Sequence, residues 1–516
     1  VSMRRVKIHK LRRKKPCDPL APPTLRDLTP EARYEQGLSA RRLAPRKLAL
    51  GFLPDAARED PIKTIVNQEL TRVPELLPLR HFRMSQSAFA FYRGSAILMA
   101  NDLGIQRPHS GLMAQLCGDA HIANFGMFAS PDRSLIFDIN DFDETHRGPF
   151  EWDVMRLVTS CLLLAKDNGF SAEDALMIAR HAAESYRRAV HRYAGMSEID
   201  IWFERTEIDD LRETVKKISG KSSLKHIDAS VAKAMNRTSL SAVRRFTEVV
   251  AGERRFLDSP PTIVRIHLNA GSRALIHSLY LEYLKSLSPA AAALLGRYRI
   301  VDAGHKIVGV GSIGLLAHIY LLQGRDEDDL LVLQGKEAVP SVLEPHTPPV
   351  AYESDSARVV LGQRLMQSAG DPFLGWLNGP LGRPFYVRQL RDMKFSPDFS
   401  KLSAKGIASY ASHAGSALAR GHAKTGDIIA IAAYMGGGDG FDRRLVNFAE
   451  TYAEIVQQDF AQFVDAIADG RLESSDGSDI ELTFRTESTP PRQHPADAWA
   501  GMLPRSLLEL AYARLL

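Results

Sequence analysis

The stretch from Leu116 to Leu157 reads LCGDAHIANFGMFASPDRSLIFDINDFDETHRGPFEWDVMRL, and the rest of the chain is organised around it. Two apolar runs, NFGMF and LIFDI, are separated by the turn-forming residues SPDRS, which predicts a β-hairpin. Acidic and amide side chains cluster where these predicted strands begin and end. Carboxylate and amide oxygens are the ligands that Mg²⁺ prefers in proteins. The stretch therefore predicts a loop-borne site for a hard divalent cation.

The pattern Gly-Asp119-x-His121-x-x-Asn124 in this stretch resembles the catalytic loop of the aminoglycoside phosphotransferase and choline kinase branch of the kinase superfamily. In that branch the loop is followed by a segment Asp-Phe/Trp-x-Asp/Glu, then by Gly-Pro or Asp-Pro, and then by an Asp on a buried helix. Here residues 141–144, residues 148–149 and Asp153 match these elements in the same order. The spacing from the Asp to the Asn is also that of the general kinase catalytic loop.

The resemblance implies a role for each polar residue of the stretch. Asp119 would orient or deprotonate an acceptor hydroxyl, and His121 would lie beside it and brace the loop. Asn124 and Asp141 would bind Mg²⁺. Asp138 is an alternative to Asp141, because the segment carries one more acidic residue than this role requires. Asp153 would support the catalytic loop from beneath.

A second informative stretch, YRIVDAGHKIVGVGSIGLLAHIYLLQGRDEDDLLVLQGKEA, begins at Tyr298 and predicts three strands joined by a Gly-rich turn and a polar turn. The turn fits G-x-G-x-x-G, which occurs in dinucleotide folds and in kinases. A dinucleotide fingerprint would open a helix, whereas a hairpin pattern ending at Lys336 follows here. This order indicates an ATP site in which Lys336 holds the α- and β-phosphates. The phosphate cradle would consist of Gly309, Gly311, Ser312 and Gly314.

An acidic partner for Lys336 is expected from the resemblance to kinases. Glu353 stands just before a predicted helix, ARVVLGQRLMQSA, and is the candidate partner. Glu337 and Glu344 compete for the same role. Two further apolar runs, DPFLGWL and PFYVRQLRDMK, predict the fourth and fifth strands of the same sheet.

The order of these pieces differs from that of ordinary kinases, because the Gly-rich turn follows the catalytic loop instead of preceding it. The sequence therefore predicts an α+β, protein-kinase-like fold of two lobes with permuted lobe order. We expect a basic, flexible arm at 1–50, a helical large-lobe core at 60–295 and a small β-rich lobe that binds ATP at 296–400. Helices at 401–470 would complete the large lobe, and a flexible tail with a short helix would occupy 471–516.

Six segments of the chain together resemble one bacterial family, known as domain of unknown function 2252. This resemblance covers most of the chain and implies no established reaction. The segments are RMSQSAFAFYRG, GDAHIANFG, FDINDFDE, VGVGSIG, GQRLMQ and YVRQLRDMK.

The composition excludes several classes of protein. Hydrophobic residues make up 45% and charged residues 25% of the chain, as in ordinary globular proteins, and no apolar run is long enough to suggest a membrane span. Three cysteines without CxxC spacing argue against a disulfide framework. Eight Lys and Arg residues crowd the first fifteen positions, and nucleic acid could bind only there. No apolar segment follows this basic arm, so we expect a cytoplasmic protein.

The leading functional hypothesis is ATP- and Mg²⁺-dependent phosphoryl transfer to a hydroxyl group, with a small molecule favoured as acceptor. The same residues could support nucleotidyl (AMP) transfer, or nucleotide binding without catalysis. A metal-dependent hydrolase is a third possibility. Its metal ligands would come from Asp119, His121, Asp138, Asp141 and Asp143, with His109 nearby.

Overall fold

The protein is described here by a computed structural model that covers residues 27–51, 58–105, 108–219, 243–244, 246–260, 262–307, 309–390 and 397–477. The basic run near residue 10, Cys17 and the tail beyond residue 477 lie outside these ranges. Within them the chain forms an α+β fold whose strands all pair antiparallel, in a six-stranded, a three-stranded and two two-stranded sheets.

The first part of the chain is mainly helical. Its elements are α1 (Pro30–Leu43), α2 (Arg46–Ala49), α3 (Pro61–Glu69), α4 (Leu77–Met84), α5 (Ala88–Gly94), α6 (Ala96–Ile105), β1 (Met113–Leu116), β2 (Phe125–Ala129), β3 (Leu135–Ile139), β4 (His146–Pro149), α7 (Phe150–Asp167), α8 (Ala172–Tyr193), α9 (Glu198–Phe203), β5 (Thr206–Glu207) and α10 (Ile208–Ser219).

The second part contains most of the strands and then returns to helices. Its elements are β6 (Thr247–Val250), β7 (Glu253–Phe256), β8 (Ile263–Arg265), α11 (Ala270–Lys285), α12 (Pro289–Leu295), β9 (Arg299–Lys306), β10 (Ala317–Gln323), β11 (Leu330–Glu337), α13 (Asp355–Met366), β12 (Gly375–Asn378), β13 (Pro384–Gln389), α14 (Ala404–Ala423), α15 (Ile428–Met435) and α16 (Gly440–Ala468).

The main hydrophobic core joins helices from both ends of the chain. It extends from Leu50 to Leu472 and is centred on α7, which is buried on nearly all sides. Phe150 at the start of α7 stacks on Tyr186 of α8, with ring centroids 6.4 Å apart, and meets Tyr434 of α15 edge-on at 6.0 Å. Aromatic pairs of this kind add to the free energy gained by burying apolar surface. The core therefore fixes the helices that carry the acidic loops.

The predicted hairpin of the first stretch is confirmed. Strands β2 and β3 pair antiparallel, with Phe125 opposite Ile139, and β5 adds a third strand beside β3. Helix α7 is followed by Gly169, which has a φ of +73°. Glycine adopts such a left-handed conformation without steric cost.

The six-stranded sheet has the order β12-β13-β11-β10-β9-β8. The three strands predicted around the Gly-rich turn are β9, β10 and β11, and the predicted fourth and fifth strands are β12 and β13. Helix α13 connects β11 to β12, as the sequence predicted. A second, smaller core packs α11 and α12 against the sheet through residues such as Tyr283, Leu295 and Leu333.

Two of the expected boundaries are wrong. Residues 30–49 were expected to belong to a flexible arm, but they form α1 and α2, and Arg33 of α1 pairs with Asp427 at a distance of 3.0 Å. Thr29 caps α1 by accepting a hydrogen bond from the Ala32 amide, which is a signal for a helix start. The sheet also begins before residue 296, because β8 at Ile263–Arg265 pairs with β9.

Across the described part of the chain, no helix combines the length and apolar character needed to cross a membrane.

Candidate functional site

The loop that carries Asp119 links β1 to β2 through a turn that requires glycine. Gly118 has a φ of +85°, and a Cβ atom at this position would overlap the carbonyl group of Glu144. The two acidic segments, around residues 119 and 143, therefore approach each other at backbone contact distance. Glycine is the residue that allows both the conformation and the approach.

Asp153, near the start of α7, supports the Asp119 loop from beneath, as the sequence predicted. Its carboxylate accepts hydrogen bonds from the amides of Cys117 at 2.8 Å and Gly118 at 3.0 Å, and His422 of α14 lies 3.3 Å away. Burial and the nearby carboxylates raise the pKa of the Cys117 thiol well above its usual value, so this residue packs as a neutral thiol.

Asp119 projects into a cleft from this supported loop. Its Oδ1 atom accepts a hydrogen bond from Nε of Arg156 at 2.5 Å, whereas Oδ2 has His121 Nε2 at 3.7 Å. Arg156 follows Asp153 by one turn of α7 and lies over the ring of Tyr92 at 4.1 Å. Burial raises the pKa of Asp119 and outweighs the opposing effect of Arg156. Arg156 thus holds one carboxylate oxygen, and the other forms no hydrogen bond within the described residues.

His121 and Asn124 complete the first loop. His121 is buried, and burial lowers the pKa of its ring well below the usual value, so the imidazole is neutral. The side-chain amide of Asn124 donates to the backbone carbonyl of Asp119 at 2.8 Å. This bond holds the amide nitrogen and leaves the amide oxygen of Asn124 as a potential metal ligand. Both residues line the cleft.

The second acidic segment, residues 140–144, follows β3. Asp143 forms an ion pair with Lys336, accepts a hydrogen bond from the Tyr386 hydroxyl at 2.7 Å, and accepts another from Ser312 at 3.0 Å. Burial raises the pKa of Asp143, but Lys336 and Tyr386 outweigh it and hold this pKa at about 2. Asp141 also lines the cleft, and its Oδ1 accepts the Asp143 amide at 3.3 Å.

Asp138, the alternative metal ligand, has a different role. Its carboxylate is fully buried, pairs with Arg420 of α14 at 2.5 Å, and accepts hydrogen bonds from the amide and hydroxyl of Ser368 at 2.8 and 2.7 Å. Asp138 does not line the cleft. It therefore ties β3 to the helical core, and Asp141 is the better candidate for a metal ligand.

The Gly-rich turn between β9 and β10 lies opposite the acidic loops. Gly309 and Gly311 are exposed, whereas Ser312 is buried and its hydroxyl donates a hydrogen bond to Asp143. Gly314 has a φ of +92°, and a Cβ atom there would lie 2.9 Å from the Cβ of Arg72. The three residues Gly309, Gly311 and Ser312 line the cleft.

Lys336 lies on β11, is only 3% exposed, and stands opposite Tyr386 in the pairing of β11 with β13. The structure pairs Lys336 with Asp143 and not with Glu353, which lies at the surface before α13. Helix α13 instead contributes Gln363 to the cleft.

The competing partners of Lys336 are also engaged elsewhere or exposed. Glu337 accepts the Leu316 amide at 3.1 Å and contacts Arg383 at 3.2 Å, and Glu344 is at the surface.

These elements enclose a cleft of about 520 Å³ between the six-stranded sheet and the helical core. Both signs of charge line it, which suits a polyanion that carries a divalent cation. Burial raises the pKa of Glu144 to about 7, with Asp119 and Asp143 adding to the shift. The basic residues of the cleft are Arg72, Arg93, Lys306, Lys336 and Arg388, and the acidic ones are Asp119, Asp141, Asp143, Glu144 and Glu337.

Several of these residues were not singled out from the sequence. Tyr386 and Arg388 are two residues apart on β13, so their side chains point to the same face of the sheet. Strand periodicity could therefore have placed both near Lys336 once β13 was known to pair with β11. The three-residue step from Asp153 to Arg156 on α7 is a similar helical signal. Arg93 lines the cleft, whereas its neighbours in sequence Arg80 and Arg83 do not.

Asn124 and Asp141 both line the cleft and are the residues that could hold a magnesium ion there. Mg²⁺ is commonly held by one or two protein oxygens together with substrate phosphates, and Asn124 and Asp141 offer such oxygens. Within the described ranges, no group of three or more His, Cys, Asp or Glu side chains is arranged to hold a metal ion. His109 contacts Trp152 edge-on at 6.3 Å and lies outside the cleft. Of the ligands expected for a hydrolase, Asp138 and His109 lie outside the cleft, whereas Asp119, His121, Asp141 and Asp143 line it.

Comparison with known proteins identifies a family but no characterised relative. No curated protein matches the chain, and no solved structure matches it. Residues 72–466 match the model of a family described as "Uncharacterized protein conserved in bacteria (DUF2252)", and the chain belongs to this family.

Proposed function

We propose that this protein is an ATP- and Mg²⁺-dependent phosphotransferase that acts on the hydroxyl group of a small molecule. The observation that carries the proposal is the ion pair between Lys336 and Asp143, which are 193 residues apart. It joins the Gly-rich turn and the acidic loops in one cleft. Kinases bring the same two kinds of loop together around ATP.

We further propose that the architecture is kinase-like with permuted lobe order. The element order of the sheet supports this view. A strand, a Gly-rich turn, two strands ending at a lysine, a helix and two more strands follow one another as β9 to β13. In the kinase pattern a helical glutamate pairs with the lysine. Here the residue of α13 that lines the cleft is Gln363, which departs from that pattern.

The chain's own residues suggest a division of labour in the reaction. The free Oδ2 of Asp119 would orient the acceptor hydroxyl and receive its proton, while Arg156 holds the other oxygen. Burial raises the pKa of Asp119, which makes it a better proton acceptor than an exposed aspartate. Lys336 would exchange its partner Asp143 for the α- and β-phosphates.

Magnesium would be held by Asn124 and Asp141. When bound, it supplies positive charge that neutralises the phosphate oxygens. The backbone of the Gly-rich turn would approach the phosphates closely, because glycines 309 and 311 present no side chain there.

The proposal is tested by thermal unfolding of the full chain with ATP, with Mg²⁺ and with both. A ligand that binds only the folded state at a hundredfold excess over Kd stabilises it by about 2.7 kcal/mol. We expect this stabilisation for Mg-ATP, and we expect Lys336→Met and Asp141→Asn to weaken it. Lys285→Met, at an exposed surface lysine of α11, is the matched control.

The products then distinguish the reactions that this site could support. Release of ADP with addition of a phosphoryl group to an acceptor supports the proposal, whereas release of pyrophosphate indicates AMP transfer. A protein that Mg-ATP does not stabilise would contradict the nucleotide site altogether.

A further inference from the structure

The segment Glu69–Gly94, which precedes the Asp119 loop, contacts the Gly-rich turn directly. The guanidinium group of Arg72 donates to the carbonyl of Ile313 at 2.6 Å, and that of Arg80 donates to the carbonyl of Gly311 at 3.3 Å. Each bond crosses more than 200 positions of sequence. The segment therefore supports the turn from the side of the helical core.

The arginines of this segment differ in how their charge is compensated. Arg80 is fully buried and pairs with Glu69 at 2.9 Å. Arg72 is only 8% exposed, and within the described residues its Nε atom is buried without a hydrogen-bond partner. The same holds for Nε of Arg93. A buried donor without a partner costs free energy, and an anion would remove this cost.

Both of these incompletely paired arginines line the cleft. Arg93 interacts electrostatically with Asp119, and Arg72 does so with Asp143 and Glu144. Arg72 also packs beneath Gly314. The two guanidinium groups thus lie where the Gly-rich turn and the two acidic loops converge.

We propose that Arg72 and Arg93 bind the phosphoryl group of ATP while it is being transferred. The inference rests on the proposed phosphotransferase function. In the reaction the bond from phosphorus to the leaving oxygen of ADP breaks and a bond to the acceptor oxygen forms, and Asp119 receives the acceptor proton. The transferring group spreads its negative charge over three oxygens, and arginines stabilise that charge in other phosphotransfer enzymes. The planar guanidinium fork matches these oxygens.

The test measures how tightly the full chain binds Mg-ADP, alone and with aluminium fluoride, which mimics the transferring phosphoryl group. Isothermal titration calorimetry would compare the wild type with Arg72→Gln, Arg93→Gln and Arg93→Lys. We expect aluminium fluoride to tighten ADP binding to the wild type. Each Gln variant should reduce this gain about tenfold or more, because a charged hydrogen bond is lost. Arg93→Lys should be intermediate, and the two Arg93 variants should leave the binding of Mg-ADP alone unchanged.

Arg83→Gln is the matched control, since Arg83 lies on α4 in the same segment but outside the cleft. An unchanged aluminium fluoride gain in the variants would overturn the inference. An equal loss of affinity for Mg-ADP in the Arg93 variants, or no gain in the wild type, would also overturn it. If Arg72→Gln does not fold, the two Arg93 variants decide the outcome. Failure of Mg-ADP and Mg-ATP to bind the wild type would remove the proposed function itself, and the inference with it.

Discussion

Asp119 is the residue whose substitution separates chemistry from binding. Asp119→Asn keeps a side chain that can face Arg156 but cannot accept the hydroxyl proton. We expect the rate of phosphoryl transfer to fall by about 100-fold or more, because general-base catalysis contributes at least this factor. Mg-ATP should still stabilise the variant against heat. Loss of nucleotide binding in Asp119→Asn would show that this residue serves ATP and not the acceptor.

Substitution of Asp138 should affect stability and leave nucleotide binding unchanged. Asp138→Asn leaves Arg420 buried without its ionic partner, which typically costs about 3–5 kcal/mol of unfolding free energy. Urea unfolding would measure this loss. The affinity for Mg-ATP at a temperature where the variant is folded should equal that of the wild type, because Asp138 lies outside the cleft. A selective loss of Mg²⁺ dependence would return Asp138 to the metal site.

Glu144 predicts a pH dependence of stability. Its pKa is about 7 in the folded protein, chiefly because of burial, and about 4.3 in the unfolded chain. Between these values the folded state binds more protons, so this group makes the protein less stable as the pH rises, with the full penalty above pH 7. The Glu144→Gln variant does not titrate at this position, so its unfolding free energy should rise relative to that of the wild type as the pH increases from 5 to 8. We expect a relative gain of about 2 kcal/mol, after allowance for partial exposure of the carboxyl group. Urea unfolding at several pH values would measure it, and parallel profiles would contradict it.

At the scale of the element, the Gly-rich turn offers a matched pair of substitutions. Gly314→Ala places a Cβ at a φ of +92° and close to Arg72, which should cost about 1–2 kcal/mol and weaken Mg-ATP binding. Gly309→Ala meets no atom within 4 Å and should leave the thermal stability unchanged. Differential scanning calorimetry with and without Mg-ATP would compare the two. Equal effects on stability would mean that the turn is not held as the structure describes.

At the scale of the whole molecule, the main hydrophobic core includes residues of both the helical part and the six-stranded sheet. Val360 of α13 and Tyr386 of β13 belong to the same hydrophobic cluster as Leu157 of α7. Shared burial of this kind couples the unfolding of the parts that share it. We therefore expect a single thermal transition, seen equally by near-ultraviolet and far-ultraviolet circular dichroism. Two separated transitions would show that the sheet and the helical core unfold independently.

The sequence by itself predicted several of the elements and their order. The β2–β3 hairpin, the three strands around the Gly-rich turn and helix α13 all follow from short patterns, whereas the support of the Asp119 loop by Asp153 was implied by the resemblance to kinases. Such signals are local, because turn residues, alternation and helical spacing act over a few positions. Composition was a weaker guide, since the Arg- and Pro-rich region at 30–49 forms helices that pack on the core.

Only the tertiary structure decided which side chains meet. It pairs Lys336 with Asp143 instead of Glu353, gives Asp138 a partner in Arg420, and brings Arg72 beneath the Gly-rich turn. These contacts join residues far apart in the chain. The packing of the six-stranded sheet on the helical core decides which of several neighbouring acidic residues pairs with a given basic one. Local sequence patterns carry no information on that choice, because burial and partner geometry arise only when the sheet and the helical core come together.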